Sequence, residues 1–314
     1  MSDLARLVVV LGPTASGKSA LGITLAEHLG GEVLVCDSTQ VYRRLTIGTA
    51  KVPPSEQRGI AHHLTDLVEP NELFTAGEYR RRALETLADL GRRNKLPILT
   101  AGTGLYLRAL LEGLADAPTR SEGLRKRLRQ KAERRGPGYL HRLLARLDRE
   151  AADRIASRDT QKIIRSIEIR LLAGRSVGAI HRSGRTGLEG YEVRKIGLLP
   201  PRAALYRRID KRVERMIEAG FIEEVRELVS GGVPADAKAF QFIGYSELRA
   251  HLDGSLERVE AIRQIQQATR RFAKRQITWF RKEKDLVWLK GFGVEPAIID
   301  EALARVAAFL SPGR

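Results

Sequence analysis

The sequence predicts an α/β fold in which a parallel sheet is flanked by helices, together with a mostly helical insertion. In roughly the first hundred residues, short apolar segments typical of buried strands alternate with segments of helical periodicity. A glycine-bounded loop, residues 12–19, lies between the first strand and the first helix. From residue 118 to residue 190 the chain is arginine-rich and shows few strand signals. We therefore divide it into a core, residues 1–117 and 191–314, and a helical, basic insertion, residues 118–190.

The strands and helices of the core follow from local patterns along the chain. RLVVVL, EVLVC and LPILT predict three buried strands, and EVRKIGLLP predicts a strand that returns after the insertion. ALGITLAEHLG has helical spacing and ends on Gly30 and Gly31, which is a C-cap signal, whereas Thr75 followed by Glu78 predicts a capping box at the next helix. Residues 205–229 and 257–285 also have helical period.

Polar residues follow the carboxyl ends of the predicted strands. The loop Gly12–Ser19 follows the first strand, Asp37 the second and Thr103 the third. Because the ligands of a parallel sheet bind beyond the carboxyl ends of its strands, we expect these residues to share one site.

The loop GPTASGKS matches the pattern G-x-x-x-x-G-K-[ST], which binds a diphosphate group. Its backbone N–H groups and the dipole of the following helix favour an anion. Lys18 adds a point charge, and Ser19 adds a hydroxyl for Mg²⁺ that bridges two phosphates. The pattern indicates a P-loop NTPase-like core, but it leaves open whether the diphosphate belongs to ATP, GTP or another molecule. The predicted diphosphate-binding residues are Gly12, Thr14, Ala15, Ser16, Gly17, Lys18 and Ser19.

The composition narrows the classes of partner and compartment. A net charge of +17 over 314 residues favours a polyanionic partner, and we expect nucleic acid. The single cysteine, Cys36, excludes an intramolecular disulfide and a multi-cysteine zinc site. The same single cysteine favours a reducing cytoplasm. Because neither a membrane-length apolar run nor a signal-peptide pattern is present, we expect no membrane partner.

The arginine-rich insertion has two interpretations. Its helices are either simply solvated amphipathic helices or a surface that contacts phosphates, and we favour the second. In the segment 257–285, Phe272, Trp279 and Phe280 alternate with basic residues. We predict that these aromatic side chains belong to the core and do not stack on bases.

Asp37 has several possible roles on the sequence alone. It fits a Walker B residue that binds Mg²⁺ in an NTPase, a general base in a small-molecule kinase, or an aspartate that only caps a turn. The segment that follows it, DSTQVYRRLTIGTAK, decides between them through a resemblance.

The chain resembles the tRNA dimethylallyltransferases, also called isopentenyltransferases, along nearly its whole length. The segments that carry the resemblance are GPTASGKS, DSTQVY leading to IGTAK, AGTGLY and AKRQITWFR, with HHLTDLVEP, FTAGEYRRRA and IGYSEL between them. The resemblance implies transfer of a dimethylallyl group from dimethylallyl diphosphate to N6 of adenosine 37, next to the anticodon of a tRNA. The resemblance also implies that diphosphate is released and that Mg²⁺ is the cofactor, and we expect the enzyme to be a monomer.

The resemblance also implies roles for individual residues. Asp37 takes the proton from the weakly nucleophilic adenine amine, and Thr103 lies at the reaction centre. The base must be extruded from its stack to reach them. The implied contacts with the anticodon stem-loop are Asp37, Ser38, Thr39, Gln40, Thr103, Arg125, Gln161, Lys162, Ile163, Ile164 and Arg165.

Some positions depart from the family pattern or stay open. Ala101 replaces a family glycine, which is tolerable if the backbone there has a negative φ. Lys162 replaces an arginine and cannot make its bidentate contact. Arg208 and Arg212, one helical turn apart, either close over the diphosphate or form a solvated pair. A small-molecule kinase and a nucleic-acid-dependent NTPase remain the alternative functions.

Overall fold

The structure, a computed structural model, describes residues 4–182 and 184–311. Contacts between residues divide the chain into two units, which we call the core unit and the helical unit. The core unit comprises the described residues of Met1–Leu110 and Gly190–Arg314, and the helical unit comprises those of Leu111–Glu189. The sequence had suggested boundaries at residues 117 and 191.

The core unit contains a six-stranded sheet with strand order β3-β2-β4-β1-β5-β6, in which every described pair of neighbours is parallel. The strands are β1 Ala5–Leu11, β2 Gly31–Cys36, β3 His62–His63, β4 Leu96–Ala101, β5 Tyr191–Leu198 and β6 Leu286–Leu289. The central strand β1 is apolar almost throughout, because parallel strands in the middle of such a sheet are covered on both faces. The predicted fold class is therefore confirmed.

The helices of the described residues follow in chain order: α1 Lys18–Leu29, α2 Ala76–Arg92, α3 Gly104–Leu111, α4 Glu122–Arg135, α5 Tyr139–Leu147, α6 Arg149–Arg154, α7 Thr160–Ala173, α8 Val177–Arg182, α9 Arg202–Glu218, α10 Phe221–Ser230, α11 Tyr245–Leu252, α12 Arg258–Phe280 and α13 Pro296–Leu310. Among them, none combines the length and the apolar composition that a membrane crossing requires.

Several local expectations can be compared with these helices. Helix α1 ends at Gly30, whose φ of 66° is readily available only to glycine and a few polar residues. The Thr75 hydroxyl accepts the Glu78 N–H at the start of α2, but the Glu78 carboxylate binds Arg81 instead of completing the predicted capping box. The single helical segment 205–229 is split into α9 and α10 at Gly220, whose φ is 99°.

Separate hydrophobic cores stabilise the two units. In the core unit, α1 and α13 pack side chains such as Leu21 and Phe309 against the sheet. In the helical unit, Leu128, Leu144 and Ile167 belong to a core of their own. Burying one such side chain stabilises the fold by about 1.5–3 kcal/mol, so each unit has its own source of stability.

Candidate active site

The P-loop, residues 12–19, connects β1 to α1 at the carboxyl edge of the sheet. Ala15 and Gly17 have φ angles of 64° and 90°, which give the loop its tight curvature. A Cβ on Gly17 would lie 2.9 Å from the Gly293 nitrogen, so glycine is required there for space as well as for φ. The Gly293 N–H in turn donates to the Ser16 carbonyl at 2.9 Å. The turn after β6, which contains Gly293, thus packs against the P-loop and stabilises its conformation.

Side chains of α9 and α12 hold the other sides of the loop. Ala15 belongs to one apolar cluster with Leu205 and Ile209 of α9 and Ala273 of α12. The Thr14 N–H donates to the Gln276 Oε1 at 2.8 Å. The loop therefore has a defined conformation even though its own residues are small.

Positive charge is concentrated at the P-loop. Burial lowers the pKa of Lys18 to about 8, an effect that the nearby Asp37 opposes and Arg212 reinforces. Burial also lowers the pKa of Arg212 to about 10, with a further contribution from Arg208. The Arg212 Nη1 lies 3.5 Å from the Thr14 hydroxyl. Because desolvated cations that repel one another are stabilised by an anion, this arrangement favours a negatively charged ligand.

Asp37, directly after β2, has its two carboxylate oxygens in different surroundings. Oδ1 accepts the Thr39 N–H at 2.9 Å and the Thr39 hydroxyl at 2.7 Å. Oδ2 faces Gly102, where an added Cβ would lie 2.7 Å from it. Asp37 therefore does shape a turn, as one interpretation held, and the same turn orients its second oxygen toward the turn between β4 and α3.

Thr103 connects that turn to the segment after β2. Its hydroxyl accepts the Ser38 N–H at 2.9 Å and donates to the Ser38 Oγ at 3.2 Å. The Gly102 and Thr103 N–H groups both donate to the Cys36 carbonyl at 3.0 Å. The P-loop, Asp37 and Thr103 consequently lie at one edge of the sheet, as the strand pattern indicated.

Two further positions singled out in the sequence, Gln40 and Ala101, lie close to these residues in the chain. Gln40 Nε2 donates to the Thr49 carbonyl at 3.1 Å and so holds the next loop. Ala101 ends β4 and is not among the residues with positive φ, which explains why alanine is tolerated there.

The described residues contain no group of three or more His, Cys, Asp or Glu side chains that could hold a metal ion. Mg²⁺ usually keeps few protein ligands and binds largely through substrate phosphates. A hydroxyl such as that of Ser19, at the start of α1, fits that mode of binding.

Helix α12 contributes Gln276, a residue to which the sequence analysis assigned no role. Gln276 is only 6% exposed, and its Nε2 donates to the Gly102 carbonyl at 2.8 Å. Trp279 packs against Gly104, where a Cβ would lie 2.2 Å from the indole, and Phe280 is fully buried. The predicted core position is therefore confirmed for Phe280, whereas Trp279 and Phe272 are only partly buried. The signal that could have identified Gln276 is a polar residue on the face that also carries Ala273 and Phe280.

The helical unit uses several of its basic residues internally. Arg125 is 5% exposed, and its guanidinium donates to both oxygens of the fully buried Glu168 at 3.0 and 2.8 Å. Arg165 also binds Glu168, at 2.6 Å, and the carbonyl of Pro118. Arg125 thus joins α4 to α7, and its contact with tRNA stays a prediction.

The other predicted contact residues of this unit differ in exposure. Ile163 and Ile164 belong to its hydrophobic core, so their side chains face inward. Gln161 and Lys162 are exposed, and Lys162 pairs with Asp159 at 2.7 Å. Gln161 and Lys162 are therefore the two whose side chains are exposed to solvent, and the contact of all four residues with tRNA stays a prediction.

Comparisons with known proteins give a consistent result. The family model described as IPP transferase matches residues 40–283. The tRNA dimethylallyltransferase of Solibacter usitatus is 51% identical over 304 residues, 97% of this chain and 99% of the relative. That of Koribacter versatilis is 49% identical over 307 residues, 96% of this chain and 98% of the relative.

Solved structures agree with these sequence relatives. The tRNA isopentenylpyrophosphate transferase of Bacillus halodurans superimposes with a TM-score of 0.72 at 36% identity, covering 96% of both chains. A eukaryotic dimethylallyltransferase acting on tRNA gives a TM-score of 0.80 at 26% identity, covering 96% of this chain and 77% of the other.

Proposed function

The chain belongs to the IPP transferase family, and we propose that it transfers a dimethylallyl group from dimethylallyl diphosphate to N6 of adenosine 37 in tRNA, with release of diphosphate. The observation that carries this proposal is the meeting of two kinds of chemistry at one sheet edge. A cationic P-loop lies beside Asp37, whose Oδ2 faces the same Gly102 that Lys18 approaches. One ligand can therefore place an anionic leaving group and a reacting carbon in this site.

The P-loop side of the site suits an allylic diphosphate. As the C–O bond breaks, negative charge grows on the departing oxygens while positive charge spreads over the allyl group. Loop N–H groups, Lys18 and Arg212 stabilise those oxygens, and Arg208 extends the positive surface beside Arg212. Ser19 and the diphosphate would hold Mg²⁺, which supplies further charge neutralisation when bound.

The other side of the site suits an exocyclic amine. The adenine N6 is a weak nucleophile because its lone pair is delocalised into the ring, so a base must accept its proton as the C–N bond forms. Asp37 is held by Thr39 through Oδ1, which leaves Oδ2 directed at the turn that carries Thr103. We assign Oδ2 as the proton acceptor and the Thr103 hydroxyl as a hydrogen-bond partner of the amine.

The charge of the chain suits a tRNA partner. With a net charge of +17, the protein attracts a polyanion, and exposed residues of α4 such as Lys126, Arg127 and Arg134 offer phosphate contacts. The target base must be extruded before it can reach Asp37. We further propose that the enzyme acts as a monomer and, since tRNA is its substrate, that it is cytoplasmic.

Incubation of the full chain with unmodified tRNA, Mg²⁺ and labelled dimethylallyl diphosphate tests this proposal, and we expect label in the tRNA. Parallel incubations with ATP and a hydroxyl acceptor, and with ATP alone, test the kinase and NTPase alternatives, which the comparisons do not favour. ATP-dependent phosphoryl transfer or hydrolysis without any prenyl transfer would overturn the proposal.

A further inference from the structure

The buried amide of Gln276 connects two separate parts of the site. Its Oε1 accepts the Thr14 N–H of the P-loop, and its Nε2 donates to the carbonyl of Gly102, each at 2.8 Å. The two partners also determine which way the amide points, because a backbone N–H can only donate and a carbonyl oxygen can only accept. Both ends of the amide are therefore used, and neither is available for an alternative contact.

The same face of α12 contacts both parts of the site on either side of this amide. One turn before Gln276, Ala273 packs in the cluster that contains Ala15 of the P-loop. Three residues after it, Trp279 packs on Gly104, directly beyond Thr103. Residues at this spacing share one helix face, so a single rigid helix supports both the P-loop and the turn between β4 and α3, residues 102–103, which we call the acceptor turn.

We propose that Gln276 is a positioning residue that sets the distance between the leaving diphosphate and the Asp37–Thr103 pair. The inference rests on the proposed function. The P-loop places the leaving oxygens, whereas Gly102 lies in contact distance of the Asp37 carboxylate. Because transfer requires the allyl carbon to lie between these groups, a shift of the loop relative to the turn lengthens the reaction distance. A displacement of 1 Å is enough to slow a reaction by roughly 100-fold.

The chemistry of the position requires a donor and an acceptor on one short side chain. Gln276→Met keeps the length but leaves the Thr14 N–H and the Gly102 carbonyl without this partner. Gln276→Glu keeps the acceptor when ionised, but it then places a carboxylate against the Gly102 carbonyl. When protonated, the introduced carboxyl donates through its O–H and accepts through its carbonyl, as the amide does.

Charged groups from several elements face this position. Lys18 and Asp37 both approach Gly102, Arg212 lies beside Thr14, and Arg108 of α3 stacks on the Trp279 ring at 4.9 Å. Among them, Lys18 has a pKa that burial lowers to about 8, so the rate of the parent enzyme also changes with pH. The informative quantity is therefore the rate of a variant divided by the parent rate at the same pH.

The test is single-turnover transfer of labelled dimethylallyl to tRNA, with both substrates saturating, between pH 5.5 and 8.5. We expect Gln276→Met to slow the transfer step by roughly 10–100-fold while the dissociation constants for tRNA and dimethylallyl diphosphate change by less than about threefold. We expect the Gln276→Glu ratio to rise as the pH falls, whereas the Gln276→Met ratio stays flat. Gln264→Met, which removes an amide that binds Glu260 within the same helix, should match the parent.

One further measurement distinguishes a failure of this inference from a failure of the proposed function. Amide hydrogen exchange at Thr14, measured without substrate, should accelerate in Gln276→Met and not in Gln264→Met. An inactive parent would refute the proposed function, and unchanged exchange at Thr14 in Gln276→Met would also refute the proposal that Gln276 holds the P-loop in place. An active parent with Gln276→Met within twofold of its rate, or a flat Gln276→Glu ratio, would overturn the assignment of Gln276.

Discussion

Replacing Gly102 with alanine tests the contact between Asp37 and the acceptor turn. The backbone at Gly102 does not lie in the left-handed region, so alanine adds no conformational strain there. The new Cβ would instead lie 2.7 Å from the Asp37 Oδ2 and 3.3 Å from the Lys18 Cε. The perturbation is therefore a steric one, applied directly between the base and the P-loop lysine.

The size of the effect follows from the displacement. An ordinary contact begins at 3.4 Å, so the carboxylate and the turn must separate by about 0.7 Å. Since a misplacement of 1 Å costs roughly 100-fold in rate, we expect Gly102→Ala to slow transfer by about 10–100-fold. This corresponds to about 1.4–2.7 kcal/mol in the activation free energy.

Single-turnover transfer at saturating substrates measures this effect, with thermal unfolding as a check on the fold. Gly91→Ala is the matched control, because a Cβ at that helical position meets nothing within 4 Å. The control should keep the parent rate and raise stability by about 0.5–1 kcal/mol. If Gly102→Ala transfers within twofold of the parent rate, the Asp37 oxygen that faces Gly102 is not the one that accepts the proton.

Three further predictions concern the lysine, the base and the helical unit. Burial lowers the pKa of Lys18 to about 8, so its positive charge is lost as the pH rises through that value. Calorimetry should therefore show that the affinity of the parent protein for diphosphate falls above pH 8. The affinity of Lys18→Ala should fall much less over the same range. Asp37→Asn should slow single-turnover transfer by about 10²–10⁴-fold with tRNA affinity kept, and a rate within threefold of the parent would contradict its role as base. Arg125→Ala should lower the free energy of unfolding by about 1.5–3 kcal/mol, because the buried Glu168 loses one charged hydrogen-bond partner but keeps Arg165, whereas the exposed Lys126→Ala should not. If Arg125→Ala keeps its stability and instead flattens the salt dependence of tRNA binding, Arg125 contacts phosphate and is not an internal brace.

The parts of the site that could be predicted from the sequence are those marked by patterns within a short stretch of residues. The P-loop pattern, the apolar strands and the polar residues that follow them place Gly12–Ser19, Asp37 and Thr103 together, because parallel strands end at one edge. Local signals also found the Gly30 cap, although the break at Gly220 within a continuous helical period was missed.

Long-range pairing explains what the sequence did not reveal. Gln276 and Thr14 are 262 positions apart, and neither residue type indicates the other. Arg125 looks like any other residue of an arginine-rich helix, and its burial depends on Glu168, 43 positions away. Such contacts are set by the packing of whole elements, which no short window of sequence contains.

Nucleoside analysis of the modified tRNA tests the central claim most directly. Unmodified tRNA is incubated with the full chain, Mg²⁺ and labelled dimethylallyl diphosphate, then digested to nucleosides, beside a tRNA in which guanosine replaces adenosine 37. The account predicts label only in N6-dimethylallyladenosine from the first tRNA and none from the second. Label in any other nucleoside, or equal label in both tRNAs, would contradict it.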